Sequence, residues 1–223
     1  MDLKYCASEI SNIALSMFRK NFFGVFHGSI SARIQHDSFL INKRTTIFDN
    51  VREEDLIMLN SKRDYRWNDA SIDADIHLNI YKNINEAKYV CYAMPHYLTA
   101  YTLGHAFIRP RDYFGYMRRS EIPIYDPKQF EDWYERADTE IYRYMLENKT
   151  NVMVIKGYGV YVHSRTPYQL AKDVAILENT CKLLCIAHSY ESQNNSAKCN
   201  LYYRDLKILP SNLVFKVIFT KFK

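Results

Sequence analysis

The chain has 223 residues, 48% of them hydrophobic, and a formal net charge of +5. A domain of this length buries roughly 70% of its unfolded surface, so one sizeable core is expected. The basic residues are interleaved with 25 acidic ones, which argues against a nucleic-acid-binding surface but is compatible with a small anionic ligand. No apolar run approaches the roughly 20 residues that span a bilayer, so a membrane protein is not expected.

The chain has five cysteines, an odd number with irregular spacing. The N-terminal residues do not show the basic, then apolar, then small-residue pattern of a secretory signal. Both observations predict a cytoplasmic protein with reduced thiols. Cys181 and Cys185 lie four residues apart on a predicted helix, where core packing is a better explanation than half of a metal site.

The first third of the chain predicts a helix, a hairpin and a basic turn. Residues 3–20 have apolar side chains at helical spacing, and a strand with a hydroxyl-lined polar face follows Gly28 and pairs with residues 39–41. Residues 42–46 form a turn in which Lys43 and Arg44 suit a phosphate through charge-assisted hydrogen bonds. Solvation alone explains this turn about as well.

The next segment places a carboxylate at the start of a helix. A strand is predicted at residues 56–59, and a helix from Ser71 to Tyr81 with Ser71 as its N-cap. Asp73 lies near the positive end of that helix, so capping explains it without any function. A buried strand at residues 88–92 then ends before Pro95.

The second half of the chain predicts two more strands between helices. Helices are expected at residues 97–107 and 128–148, separated by a basic, turn-rich segment, and strands at 152–156 and 160–162 precede a helix that opens at Thr166-Pro167. Residues 189–197 are rich in serine and asparagine and predict a linker or loop. We therefore expect a domain at residues 1–188, with residues 189–223 forming a linker plus an apolar segment at 213–219 that packs on the core or a neighbouring subunit.

This order of motifs resembles the class II aldolase/adducin family over roughly residues 5–188. The resemblance rests on Gly28-Ser29 after the first helix, the Ser71-x-Asp73 helix start, Pro95 after the central strand, and Gly157-x-Gly159 before the last helix. It implies an α/β fold, a three-layer α/β/α sandwich around a mostly antiparallel central sheet. It also implies a homo-oligomer, usually a cyclic tetramer with active sites at subunit boundaries.

The resemblance implies a zinc site whose ligands are missing from this chain. Family enzymes hold zinc with three histidines, and the corresponding positions here are Tyr92, Met94 and Tyr158. A neutral phenol and a soft thioether are poor zinc ligands, so we expect no zinc and no other cofactor. His96 lies two residues beyond Met94, but one imidazole does not make a metal site.

Other family positions supply the remaining candidate residues. By resemblance, Asp73 falls at an acid/base carboxylate and Tyr113 near a proton-donating tyrosine, and these two are the candidate catalytic residues. The candidate ligand-binding residues are Ser29, Lys43, Arg44, Ser71, Tyr92, Met94, His96 and Tyr158.

Two functions follow from the altered motifs. The first is a family scaffold without zinc-dependent aldolase activity that binds a small phosphorylated or anionic ligand, or a protein partner. The alternative is a metal-independent lyase or epimerase, in which Asp73 and the tyrosines at 92, 113 and 158 perform acid/base work on a sugar phosphate or related anion.

Overall fold

A mixed sheet of eight strands forms the centre of the protein. The computed structural model describes residues 3–25 and 27–207, and the side chains of those residues up to 192. The strands lie in the order β3-β2-β1-β4-β8-β7-β6-β5 and pair antiparallel, except for β6 and β7, which are parallel. They are β1 (Ser29–Gln35), β2 (Ser38–Asn42), β3 (Leu56–Asn60), β4 (Tyr89–Ala93), β5 (Phe107–Ile108), β6 (Ile122–Tyr125), β7 (Val152–Ile155) and β8 (Gly159–Ser164).

Helices cover both faces of the sheet, which confirms the predicted α/β/α fold class. Side chains alternate along a strand, so Tyr92 and Tyr89 of β4 point to opposite faces. Tyr92 belongs to a core cluster with residues of α2 and α5, whereas the Tyr89 hydroxyl donates to Glu9 of α1. The helices are α1 (Leu3–Arg19), α2 (Ala74–Asn83), α3 (His96–Gly104), α4 (Tyr113–Arg118), α5 (Trp133–Glu147) and α6 (Pro167–Lys207).

The start of α2 differs from the sequence prediction. The helix begins at Ala74 with Asp73 in the N-cap position, so Ser71 is not the N-cap. The Ser71 hydroxyl instead accepts a hydrogen bond from the Asp73 backbone nitrogen at 3.3 Å. The Asp73 side chain makes no capping hydrogen bond. Capping therefore does not explain this carboxylate.

Three further elements differ from the sequence prediction. Strands β5 and β6 were not expected, because β5 has only two residues and β6 contains Pro123, which weakens any strand pattern. The basic segment after Pro110 contains a short helix, α4, whose N-cap Asp112 accepts a hydrogen bond from the Gly115 nitrogen.

The predicted linker at residues 189–197 is helical, which corrects the expectation of a loop. Helix α6 continues through it to Lys207, and this stretch contains no glycine or proline to end a helix. The chain divides into two units at residues 182 and 183. The predicted apolar segment at 213–219 lies outside the described residues. The boundary at residue 188 stays a prediction. Within the described part, no helix is long and apolar enough to cross a membrane.

Candidate functional site

A cavity of about 290 Å³ lies at the edge of the sheet where β4 ends. Antiparallel pairing places Tyr92 opposite Ser29 at the start of β1, and Ala93 opposite Val160 near the start of β8. The start of α2 and the turn after β2 reach the same edge. The cavity is lined by His27, Gly28, Asn42, Arg44, Thr46, Phe48, Ser71, Ile72, Asp73, Tyr92, Met94, Tyr134, Gly157 and Tyr158.

The structure brings six of the ten candidate residues together in this cavity. They are Arg44, Ser71, Asp73, Tyr92, Met94 and Tyr158. Ser29 is completely buried behind the wall, where its hydroxyl lies 3.0 Å from the Nε2 atom of His77. Lys43, His96 and Tyr113 do not line the cavity.

Sequence reasoning missed several residues of the cavity wall. Asn42 and Thr46 belong to the same predicted turn as Lys43 and Arg44, and their polar side chains were a usable signal. His27 also lines the cavity; it precedes the first strand, next to Gly28. No sequence feature marked Tyr134 as a cavity residue, because a tyrosine on a long amphipathic helix is expected to pack against the core.

Tyr92 and Tyr158 form one wall of the cavity, and the fully buried Tyr161 ring packs against both of them. The centroid of the Tyr92 ring lies 4.8 Å from that of Tyr158 and 5.0 Å from that of Tyr161, and the Tyr158 and Tyr161 centroids are 6.5 Å apart. The Tyr92 hydroxyl donates to the Tyr158 carbonyl oxygen at 2.7 Å, and the Tyr158 hydroxyl donates to the Tyr134 hydroxyl at 2.8 Å. Burial, together with the charge of Asp73, raises the pKa of both Tyr92 and Tyr158, so both phenols are neutral at physiological pH.

A glycine lets this wall approach the central strand. Gly159 has a φ of +137°, a conformation that side-chain-bearing residues rarely adopt. A Cβ atom at this position would lie 2.4 Å from the Ala93 carbonyl oxygen. The absence of a side chain therefore permits the close contact between β8 and the end of β4.

Asp73 forms the buried floor of the cavity. Only 3% of the residue is exposed, and the Tyr161 hydroxyl donates to Oδ1 at 3.0 Å. Burial raises the pKa of the Asp73 carboxyl, while hydrogen bonds from Ser29 and Tyr161 act in the opposite direction. This carboxyl therefore holds a proton more tightly than an ordinary aspartate does.

A chain of buried hydrogen bonds continues behind Asp73. The Ser31 hydroxyl lies 2.6 Å from His77 Nδ1 and 2.7 Å from the Tyr81 hydroxyl. Burial lowers the pKa of His77 to about 3, so the ring is neutral and one nitrogen donates while the other accepts. The chain runs from Asp73 through Ser29 to His77 and then to Ser31. If the Ser29 hydroxyl donates to the Asp73 carboxylate, His77 donates from Nε2 to Ser29 and accepts at Nδ1 from the Ser31 hydroxyl. Every donor in the chain then points toward Asp73.

His27 and Asp73 are the only histidine, cysteine, aspartate or glutamate residues among the described residues that line the cavity. No group of three or more histidine, cysteine, aspartate or glutamate side chains in the described part of the chain is arranged to hold one. The Tyr92 and Tyr158 hydroxyls are engaged with protein acceptors, and a neutral phenol is a weak ligand. Hydrogen-bond donors and aromatic surface are what this cavity offers.

Replacing Asp73 with asparagine is expected to stabilise the protein at neutral pH. The folded-state pKa of Asp73 is raised, so its ionisation above the ordinary pKa near 3.8 favours the unfolded state. We expect the melting temperature of the variant to exceed that of the parent by several degrees at pH 7. The gap should shrink as the pH falls toward 4 and close below the unfolded-state pKa near 3.8, where the carboxyl becomes protonated in both states.

Thermal melts of both proteins between pH 3 and pH 8 measure this difference. A gap that does not change with pH would contradict the raised pKa of Asp73.

The fold is similar to that of several solved sugar-phosphate aldolases. L-fuculose-1-phosphate aldolase from Thermus thermophilus superposes with a TM-score of 0.74 and 17% identity, covering 86% of this chain and 99% of that one. Sugar-phosphate aldolase from Thermotoga maritima gives 0.65 and 13%, covering 84% and 96%. YgbL from Escherichia coli gives 0.66 and 19%, covering 82% and 90%. At these identities the likeness shows the fold alone.

The sequence itself shows the family. The model for the class II aldolase and adducin N-terminal domain matches residues 8–185. The chain therefore belongs to the class II aldolase and adducin family, which confirms the resemblance found in its motifs. A comparison with curated proteins finds no match.

Proposed function

We propose that this protein is a family member without zinc-dependent aldolase activity that binds a small phosphorylated or anionic ligand in the cavity. The observation that carries the proposal is the hydrogen-bonded pair of Tyr92 and Tyr158. Both residues occupy positions where the family resemblance implies zinc ligands, and both phenols are neutral and already bonded to protein atoms. Met94, at the third position, offers only a soft thioether.

The polar residues of the cavity support an anionic ligand. Arg44 is the one permanent cation among the described residues that line it, and its guanidinium makes no ion pair with them. Ser71 accepts from the Asp73 backbone nitrogen, so its own hydroxyl hydrogen is available for a ligand. A guanidinium fork beside a hydroxyl donor suits the oxygens of a phosphate group.

Titration with inorganic phosphate and with L-fuculose 1-phosphate tests this proposal. We expect both to bind the full chain, measured by calorimetry, and the sugar phosphate to remain uncleaved. Replacing Arg44 with alanine removes a charge-assisted hydrogen bond, so phosphate affinity should fall by about tenfold or more. Arg52→Ala is the matched control, because this arginine is exposed, pairs with the exposed Glu54 and does not line the cavity.

Equal losses of affinity in the two variants would contradict binding at this cavity. Cleavage of the sugar phosphate by the parent protein would contradict the absence of aldolase activity.

We propose that the protein is a homo-oligomer, with the tetramer of the family resemblance as the specific expectation. Helix α4 exposes an apolar surface, with Tyr113, Phe114, Tyr116 and Met117 each more than 60% exposed. Exposed aromatic surface of this kind is typical of protein interfaces. Light scattering on the titration samples measures the molar mass of the protein in solution. A molar mass equal to that of one chain would contradict the proposal.

A metal-independent lyase or epimerase is the second candidate. It is favoured by Asp73, whose raised pKa and contact with the Tyr161 hydroxyl suit proton transfer within the cavity. Under this alternative, a sugar phosphate would be converted without added metal, and Asp73→Asn would abolish the conversion.

A further inference from the structure

A second and larger depression lies at the opposite end of the sheet from the cavity. We call it the distal groove; it has a volume of about 830 Å³ and is formed by the turn before β4 and the ends of α4, α5 and β8. Tyr89 and Ser164 pair at this end of β4 and β8, whereas Ala93 and Val160 pair at the end that carries the cavity. The two sites therefore share no lining residue.

The distal groove has an excess of positive charge. Its lining includes the cations Arg118, Arg119, Lys149 and Arg165, against the single carboxylate of Glu86. Arg165 and Glu86 form an ion pair with a 3.0 Å separation, and both side chains are about 70% exposed. Exposed pairs of this kind contribute little to stability, so an incoming anion can compete for Arg165.

Two of these cations make no ion pair with the side chains that the structure describes. Arg118 is paired with the buried carboxylate of Asp173 at 2.7 Å. In contrast, Arg119 donates to a neutral acceptor, the Lys149 carbonyl oxygen, at 3.3 Å. The Lys149 ammonium makes no ion pair with any side chain that the structure describes. Arg119 and Lys149 thus present adjacent, uncompensated charges to the groove.

Lys149 occupies a backbone conformation that favours glycine. Its φ is +47°, directly after the C-cap of α5, where glycine is the usual residue. The folded protein is less stable with lysine at this position than it would be with glycine, because the lysine Cβ crowds the backbone. The chain therefore carries a local strain at the position that places an ammonium group in the groove.

We propose that the distal groove is a second ligand site, which takes a small molecule carrying a di- or triphosphate group. Two uncompensated cations, with Arg165 beside them, match several negative charges close together, and guanidinium forks bind phosphate oxygens in pairs. The volume lies in the range of small-molecule sites and exceeds what inorganic phosphate needs. Amide side chains in the lining, including Asn85 and Gln169, provide donors and acceptors for the organic part of such a ligand.

Calorimetric titration of the full chain with pyrophosphate, ADP and adenosine tests this proposal. We expect pyrophosphate and ADP to bind, more weakly as salt rises, and adenosine alone to bind far less. Lys149→Gly should weaken pyrophosphate binding by about tenfold, the effect of losing one charge-assisted contact. This variant should melt no lower than the parent, because glycine relieves the left-handed strain.

Lys128→Gly is the matched control. Lys128 is also an exposed lysine with positive φ, at +64°, but it does not line the distal groove. Its replacement should leave pyrophosphate affinity within about twofold of the parent value. The titrations are repeated in the Arg44→Ala variant, which lacks the phosphate contact of the cavity; pyrophosphate binding should persist there and still weaken on Lys149→Gly, which separates this site from the cavity of the proposed function.

Three results would overturn the proposal: no binding of pyrophosphate or ADP, equal losses in Lys149→Gly and Lys128→Gly, or loss of pyrophosphate binding in Arg44→Ala. The last result would assign the anion to the cavity instead.

Discussion

Replacing Gly159 with alanine is expected to destabilise the fold by about 3 kcal/mol. The added Cβ would lie 2.4 Å from the Ala93 carbonyl oxygen and 3.1 Å from Cε2 of Tyr92. The oxygen belongs to the backbone of β4, so it cannot move away without disturbing the pairing of β4 with β8. The φ of +137° adds a conformational cost for any residue with a side chain.

Thermal unfolding measures the effect of this replacement. For a chain of this size, we expect the melting temperature to fall by roughly 6–12 °C. Gly104→Ala is the control, because no atom lies within 4 Å of a Cβ built there, and its melting temperature should change by at most about 2 °C. Similar values for the two variants would show that the end of β4 tolerates a side chain.

Restoring three histidines is expected to give the protein a zinc site. Tyr92, Met94 and Tyr158 line one cavity, so imidazoles at all three positions face a common space. Histidine nitrogen is an ordinary zinc ligand, and imidazole is smaller than the phenol it replaces at two of the positions. The variant Tyr92→His/Met94→His/Tyr158→His should retain about one zinc per chain when purified without chelator.

Elemental analysis of the parent and the variant measures this gain. We expect the parent to contain almost no zinc, and the control Tyr92→Phe/Met94→Leu/Tyr158→Phe to contain none above the parent. Stoichiometric zinc in the parent would overturn the metal-free proposal. A variant that stays without zinc would show that the three side chains do not converge.

The fold was predictable from the sequence because its strongest signals are periodic. The apolar spacing of α1 and the Thr166-Pro167 start of α6 predicted those helices well. Strands β1, β2 and β4 were also found, since each is fully or largely buried along its length. Short edge strands such as β5 have too few residues to show a pattern, so their pairing depends on tertiary contacts.

The site was predictable only in part, since sequence motifs identify chain positions and not side-chain directions. Arg44 and its neighbour Lys43 looked equivalent in the sequence, but only Arg44 lines the cavity. His96 follows the central strand closely, yet it starts α3 and does not line the cavity. Tyr134 enters from a distant helix, a placement set by the packing of α5 against α2.

The expectation of a loop at residues 189–197 was wrong for a different reason. Its serines and asparagines have low helix propensity, but it lacks the glycine and proline that break helices. Composition alone could not separate a polar helix from a polar loop. A helix that already extends from Pro167 avoids the unfavourable nucleation step, so it continues through a weak segment more easily than it would start there.

The buried chain of hydrogen bonds behind Asp73 restricts how this protein can evolve. Losing the Ser31 hydroxyl would leave both His77 Nδ1 and the Tyr81 hydroxyl without their partner, and each orphaned buried group costs about 1–3 kcal/mol. Replacing all members by apolar residues avoids that cost, but it requires several changes at once. Single substitutions are therefore tolerated more easily on the cavity wall than among the hydrogen-bonded polar residues beneath it, which must change together.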